Sequence, residues 1–157
     1  MLEIRQAEPG EEAQVLAFIR KLADYEKLLH DVTASEDDIR EALFGASPRC
    51  YCELAFWEGE PAGFALWFYN FSTFAGKAGI YLEDLYVEPH LRGRGIGKAL
   101  LKHLAKRCVA EGLPRLQWWV LDWNEPSIAA YKAMGAKPMD EWTVYRVSGA
   151  ELSALAR

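Results

Sequence analysis

The sequence contains no apolar run approaching the length of a membrane span, and its N-terminus, MLEIRQAEPGEE, lacks the basic and apolar regions of a signal peptide. Both absences predict a cytoplasmic chain with no membrane partner. Cysteine is scarce: Cys50, Cys52 and Cys108 are all there is. Cys50-x-Cys52 has neither C-x-x-C spacing nor a downstream ligand pair, so no metal site is expected, and buried or half-buried free thiols suit a reducing compartment. Excess positive charge is missing too. A formal net charge of −5 argues against nucleic acid as the main partner and suits a cationic substrate. No repeat, low-complexity stretch or linker interrupts the 157 residues, of which 51% are hydrophobic and 26% charged. That is a globular composition, and one domain over residues 1–157 is expected.

What is present is organised around residues 80–101, IYLEDLYVEPHLRGRGIGKALL. Ile80, Leu82, Leu85 and Val87, with Tyr81 and Tyr86, read as a strand over 80–87. Glu83 and Asp84 interrupt it. Adjacent strand residues point to opposite faces, so one of the two carboxylates must face inward or into a cleft. Glu88-Pro89 ends the strand. Then come Arg92, Gly93, Arg94, Gly95, Ile96, Gly97 and Lys98, followed at once by helical spacing at Ile96, Leu100, Leu101 and Leu104. A glycine-rich turn that opens a helix presents unpaired N–H groups at the positive end of the helix dipole, and three cations beside it make an anion site.

Elsewhere the pattern alternates short strands and helices. A strand begins LEIRQA, and a helix spans 11–29 on Val15, Phe18, Ile19, Leu22, Tyr25 and Leu29. Ser35 with Asp38 caps a second helix. Strands over 50–57 and 62–71 join through Glu58-Gly59-Glu60-Pro61. After an aromatic loop bearing Phe71 and Phe74 comes the central strand, then its helix to about Glu111, and a tryptophan-rich strand over 116–121. Asn124 or a neighbour caps a helix running to Gly135, and a last strand covers 141–147 before a short tail.

Two nucleotide motifs fail on spacing. The Rossmann fingerprint needs glycine where Lys98 stands, and the P-loop needs Ser or Thr where Ala99 stands. Arg92-x-x-Gly95-x-Gly97 instead resembles the acyl-CoA pyrophosphate motif of the GNAT acetyltransferases. Residues 124–136, from Asn124 through Tyr131 to Gly135-Ala136, resemble that family's second hallmark, N-x-x-[SA]-x-x-x-Y-x-x-x-G-[FA]. Ala23-Asp24-Tyr25-Glu26, Tyr81-Leu82-Glu83-Asp84 and Trp123-Asn124-Glu125-Pro126-Ser127 narrow the resemblance to the spermidine/spermine branch and its diamine and thialysine acetyltransferase relatives. Around Phe74 the eukaryotic polyamine enzymes carry tryptophan in a differently sized loop, which bears on the choice of amine.

The resemblance implies an α/β (α+β) fold, a mixed, mostly antiparallel sheet whose central strands, 80–87 and 116–121 here, splay to admit the pantetheine arm of acetyl-CoA. It implies a homodimer with the C-terminal strand as a candidate interface. Backbone groups of Leu85 and Val87 would pair with pantetheine, an N–H near Leu85 or Tyr86 would face the oxyanion, Arg92 to Lys98 would hold pyrophosphate, and Asn124 would bond the arm. Tyr131 would protonate the leaving thiolate. The amine must lose a proton, its free pKa being about 10.4, and Glu83 is the first candidate base. Asp84 is either its partner or a structural carboxylate. Tyr25 and Glu26 would hold the distal cation of the substrate, with Phe74 bordering it. The expected activity is acetyl transfer to a small cationic amine by direct attack. A protein or peptide acetyltransferase and a non-catalytic acyl-CoA sensor are the alternatives.

Overall fold

The structure is a computed structural model that describes all 157 residues. It divides into two compact units, Met1–Trp119 and Val120–Arg157. In the first, five strands lie in sequence order: β1 (Leu2–Gln6), β2 (Tyr51–Trp57), β3 (Glu60–Ser72), β4 (Lys77–Val87) and β5 (Leu116–Trp118). Every pairing is antiparallel except β4 with β5, which is parallel. The parallel step is made possible by a crossover helix, α3 (Ile96–Glu111). This is the mixed, mostly antiparallel sheet that the sequence predicts.

Helices α1 (Glu12–Tyr25) and α2 (Glu36–Phe44) cover one face of the sheet. Val15, Leu16, Phe18 and Leu22 project from α1 at helical spacing and bury against Cys52, Leu54, Phe64, Leu66 and Tyr86. The Phe18 and Phe64 rings stack at 5.5 Å. Replacing Phe18 by Ala would cost about 3–5 kcal/mol, the usual range for a buried aromatic. At the start of α2 the predicted cap is complete: Ser35 Oγ accepts from the Asp38 amide, and the Asp38 carboxylate accepts from the Ser35 amide.

Helix α1 stops four residues before the predicted end. Lys27 takes a positive φ of 63°, the Leu28 amide donates to Ala23 O, and the Lys27 amide donates to Asp24 O. This closure satisfies carbonyls that a longer helix would have paired. It leaves Tyr25 and Glu26 at the end of the helix.

The second unit holds α4 (Glu125–Ala133) and α5 (Gly149–Leu155). Two expectations are corrected around it. The tryptophan-rich strand ends at Trp118 rather than 121, and 141–147 forms no strand. A strand is held by hydrogen bonds to a neighbour, and β-favouring residues such as Trp142, Val144 and Tyr145 cannot supply one by themselves. These side chains are largely exposed. The tail over 149–155 is a helix.

Candidate active site

Strand β4 gains its character from one extra residue. Leu66 of β3 sits opposite Asp84, and Trp67 opposite Leu82, so Glu83 has no opposite number and forms a bulge. Pairing with β5 also ends here, at Leu82 opposite Trp118. From Glu83 onward the far edge of β4 has no strand beside it, and its backbone groups are available to an extended ligand. In place of the expected splay between 80–87 and 116–121, β5 ends at Trp118 and the β4 edge beyond Leu82 is unpaired.

The edge runs into the turn. The segment Pro89–Leu91 makes a single helical turn pinned by buried Leu91. Gly93 and Gly95 follow with φ of 80° and 78°, a left-handed geometry that side-chain-bearing residues resist. Gly95 is the N-cap of α3 and offers no side chain to cap it. Gly95 O accepts from the Ala99 amide, leaving the first amides of α3 without helical partners. Arg94 and Lys98 are exposed beside them. Open glycines, uncapped amides and two exposed cations fit a diphosphate, and the unpaired β4 edge fits the extended arm attached to it.

Arg92 is engaged within the chain. Its Nε–H donates to Val87 O at 3.0 Å, and its guanidinium lies 5.1 Å from the Tyr25 ring and 5.6 Å from the Tyr86 ring. It is folded over the α1 face and bonds the backbone of Val87, one of the residues expected to pair with pantetheine. Arg94 lies over the Trp57 ring at 5.2 Å.

On the α1 face the bulge presents a cluster of acids. Asp84 shares a face with Leu66 and Tyr86, while Glu83 is exposed at the bulge. Burial pushes the Asp84 carboxyl up to about 7, with further contributions from the charges of Glu83 and Glu26. No cation or donor opposes that push. Burial also raises Glu26, which sits just past the end of α1. Cys50 borders the cluster; burial first, then the Asp84 and Glu83 charges, raise its thiol pKa and keep it a poor nucleophile. Direct attack on a thioester, with no covalent enzyme intermediate, suits that environment.

The structure thus brings Glu26, Glu83, Asp84 and Tyr86 together at the bulge, with Tyr25 joined to them through Arg92. Phe74 is not among them. It stands fully exposed at the tip of the β3–β4 hairpin, because the turn closes through Ser72 and Gly76 without folding the ring inward. In the second unit, Asn124 Oδ1 accepts from the Ser127 amide at 3.4 Å as the N-cap of α4. Tyr131 stands on α4, two turns in, and Gly135, with φ of 92°, follows the Met134 cap of the helix.

Sequence reasoning missed Glu53. It is 1% exposed on β2, facing α3, with Trp67 Nε1–H donating to its Oε2 at 2.9 Å and His103 Nε2 at 3.2 Å from its Oε1. A signal existed, a lone carboxylate within the apolar run Tyr51–Trp57.

These features coincide with a known family. Residues 15–136 match the model of the acetyltransferase (GNAT) family. A thialysine N-epsilon-acetyltransferase of Bos taurus is 38% identical over 98% of this chain and 96% of its own length. The human spermidine/spermine N(1)-acetyltransferase-like protein 1 is 30% identical over 98% of this chain, which spans 24% of that protein. Among solved structures, an integron cassette protein from the mobile metagenome of V. cholerae superposes with a TM-score of 0.82 at 29% identity, covering 99% of this chain and 98% of that one. The chain belongs to the GNAT acetyltransferase family. It is an N-acetyltransferase that uses acetyl-CoA.

Proposed function

We propose that this enzyme acetylates a primary amine of a small substrate carrying a second positive charge, a diamine, polyamine or lysine-like amine. The observation that carries the reading is the uncompensated acid cluster at the bulge, where Glu26, Glu83 and Asp84 crowd together with Asp84 pushed up to about 7. Three crowded carboxylates, with Arg92 turned to the Tyr25 and Tyr86 rings, suit a cationic substrate. The thialysine and polyamine names of the relatives support the same choice.

Acetyl-CoA supplies the activated acyl group; the residues of this chain hold and orient it. The amides of the turn, with Arg94 and Lys98, bind the diphosphate, and Arg92 sits where the turn meets the amine site. The unpaired edge at Leu85, Tyr86 and Val87 aligns the arm, and an N–H near Leu85 or Tyr86 stabilises charge on the thioester oxygen. Asp84 receives the amine proton, since a base with a pKa near 7 is better matched to an ammonium than an ordinary carboxylate. Glu83, the first candidate by position, keeps the Asp84 pKa high and draws the cation in. Tyr25 and Glu26 hold the distal charge. Tyr131 donates the proton that the leaving thiolate needs, and Asn124 keeps α4 capped beneath it while its amide bonds the arm.

The whole chain acts as one catalytic domain, the family match running across residues 119 and 120. We place it in the cytoplasm, where three free cysteines are at home. It works as a homodimer. The test is an amine panel with acetyl-CoA, read as free-thiol release, with lysine peptides and monoamines as competing arms. Diamines and thialysine-like amines should turn over fastest. Faster turnover of a peptide, or binding of acetyl-CoA with no turnover of any amine, would overturn the reading. Sedimentation at micromolar concentration tests the dimer.

A further inference from the structure

The face of the sheet opposite the amine site carries a fully buried carboxylate. Glu53 accepts from the Trp67 indole at 2.9 Å and faces two residues of α3 one turn apart, His103 Nε2 at 3.2 Å and Arg107 Nη2 at 3.7 Å. The contacts continue along the helix. The Arg107 guanidinium lies 5.1 Å from the Trp67 ring centroid, Arg107 Nη1 donates to Glu111 Oε2 at 3.2 Å, and Tyr69 O–H donates to Glu111 Oε1 at 2.7 Å. None of these residues touches the glycine turn, yet all but Glu53, Trp67 and Tyr69 belong to the helix that the turn opens.

The apolar packing of α3 only partly fixes its register. Its buried residues are Ile96, Leu100, Leu101, Leu104 and Cys108, and all but Leu101 fall in one row spaced every four residues. Sliding the helix by one turn, about 5.4 Å, would exchange members of that row for one another, and only Leu101 would give way to a small residue, Gly97 or Ala105. Hydrophobic burial is non-directional, so along the row it does little to oppose the slide. The polar contacts oppose it in both directions. One slide carries Glu111 to the place of Arg107, setting a carboxylate against buried Glu53. The other brings Ala99 to the place of His103 and leaves Glu53 without its nearer partner.

We infer that Glu53 is a positioning residue of the cofactor site: by engaging His103 and Arg107 it sets the axial register of α3 and hence where the turn at Gly93–Lys98 meets the end of β4. The inference rests on the reading of that turn as the acetyl-CoA diphosphate site. Buried ion pairs add little net stability compared with apolar replacements, and their best-attested use is to select one arrangement among similar ones.

The experiment compares wild type with Glu53→Gln and with the apolar triple variant Glu53→Met/His103→Leu/Arg107→Met, measuring acetyl-CoA affinity by calorimetry, thermal midpoint, and KM for both substrates. The triple variant should keep its thermal midpoint but bind acetyl-CoA roughly 10-fold more weakly, the lower end of the loss seen when an orienting partner is removed from other ligand sites. Its KM for the amine should be unchanged. Glu53→Gln, which still accepts from Trp67, should fall between the two, and it carries the test if the triple variant fails to fold. Wild-type acetyl-CoA affinity in either folded variant would overturn the positioning role. Gly95→Asp is the control for the underlying reading. If it too binds like wild type, the turn is not the cofactor site and the inference falls with it; if it loses binding while the Glu53 variants do not, only the positioning role falls.

Discussion

Two carboxylates lie on opposite faces of one sheet, Glu53 fully buried and Asp84 half-buried, and the protein treats them in opposite ways. Glu53 is met by an indole N–H, an imidazole and a guanidinium. Asp84 meets two more carboxylates and no cation. Desolvation is costly in both places, and in the first it is offset by partners already in the chain. In the second it is left standing, and the carboxyl is pushed up to about 7 as a result. A satisfied buried charge specifies an arrangement, whereas an unsatisfied one is poised to take up a proton or a cation. The same strand–helix architecture thus supplies a fixed side and a reactive side, with the bulge at Glu83 marking the reactive one.

The largest expected contrast is in turnover. Asp84→Asn should lower kcat by roughly 10²–10⁴, the range for a lost general base, with little change in acetyl-CoA affinity. Glu53→Gln should do the reverse, leaving kcat at saturation intact while raising KM for acetyl-CoA. Steady-state kinetics on both variants decides it, and a kcat loss shared by the two would erase the distinction. On the thiolate side, Tyr131→Phe keeps the ring and removes the proton, so a kcat loss of similar size is expected at unchanged acetyl-CoA affinity.

A smaller contrast lies in substrate binding. Glu26→Gln removes a charge that ground state and transition state share, so KM for a diamine should rise about 10-fold at constant kcat, on the order of one charge-assisted contact. A matched monoamine should be unaffected. An equal defect with both amines would place Glu26 outside the distal site.

Stability separates the carboxylates again. Asp84 in the folded chain titrates near 7, above its ordinary value. In the window between, the unfolded chain binds fewer protons than the folded one, so wild-type stability falls as pH rises from about 4 to about 7. Below that window both states are protonated and the penalty vanishes; above it the penalty is complete. Asp84→Asn should therefore melt higher than wild type at pH 8, by roughly 4–8 °C if about 2 kcal/mol of the desolvation cost survives relaxation. The difference should disappear near pH 4. Scanning calorimetry at the two pH values checks it, and a destabilised Asn variant at pH 8 would mean that Asp84 has a partner after all.

Much of this was legible in the sequence because its causes are local. The capping box at Ser35 and Asp38, the glycine turn before Ile96 and the acid pair interrupting a strand each follow from a few consecutive residues. What was not legible depends on partners far away in the chain. Residues 141–147 are rich in β-favouring side chains, but composition only prepares a segment for a ladder. Phe74 sits in a loop whose direction is set by the Ser72–Gly76 closure. Arg92 lies in the right motif but stacks on Tyr25, a residue of α1 that only folding brings near. Glu53 shows the same limit from the other side. A carboxylate in an apolar strand announces that partners exist, while His103 and Arg107 become visible as those partners only once α3 lies across the sheet.

The subtlest way to sharpen the comparison concerns which acid at the bulge takes the proton. Glu83 is exposed, next in sequence to Asp84, and its charge helps raise the Asp84 pKa. If Asp84 is the base, Glu83→Gln removes a neighbour's charge and nothing more. The Asp84 pKa then drops, and the acid limb of kcat/KM against pH moves to lower pH with the plateau kept within about threefold, since an exposed charge is well screened. Asp84→Asn should abolish that limb instead. If Glu83 were the base, acting alone or through a water, Glu83→Gln would cost the full general-base factor. Part of the loss would return at high pH, where the free amine, with a pKa of about 10.4, becomes abundant. Profiles of both variants from acid to pH 10 therefore distinguish a movement of the limb from its loss. A Glu83→Gln enzyme that is slow at pH 7 and recovers toward pH 10, beside a near-normal Asp84→Asn enzyme, would exchange the two roles and make Asp84 a buried carboxylate with no chemistry of its own.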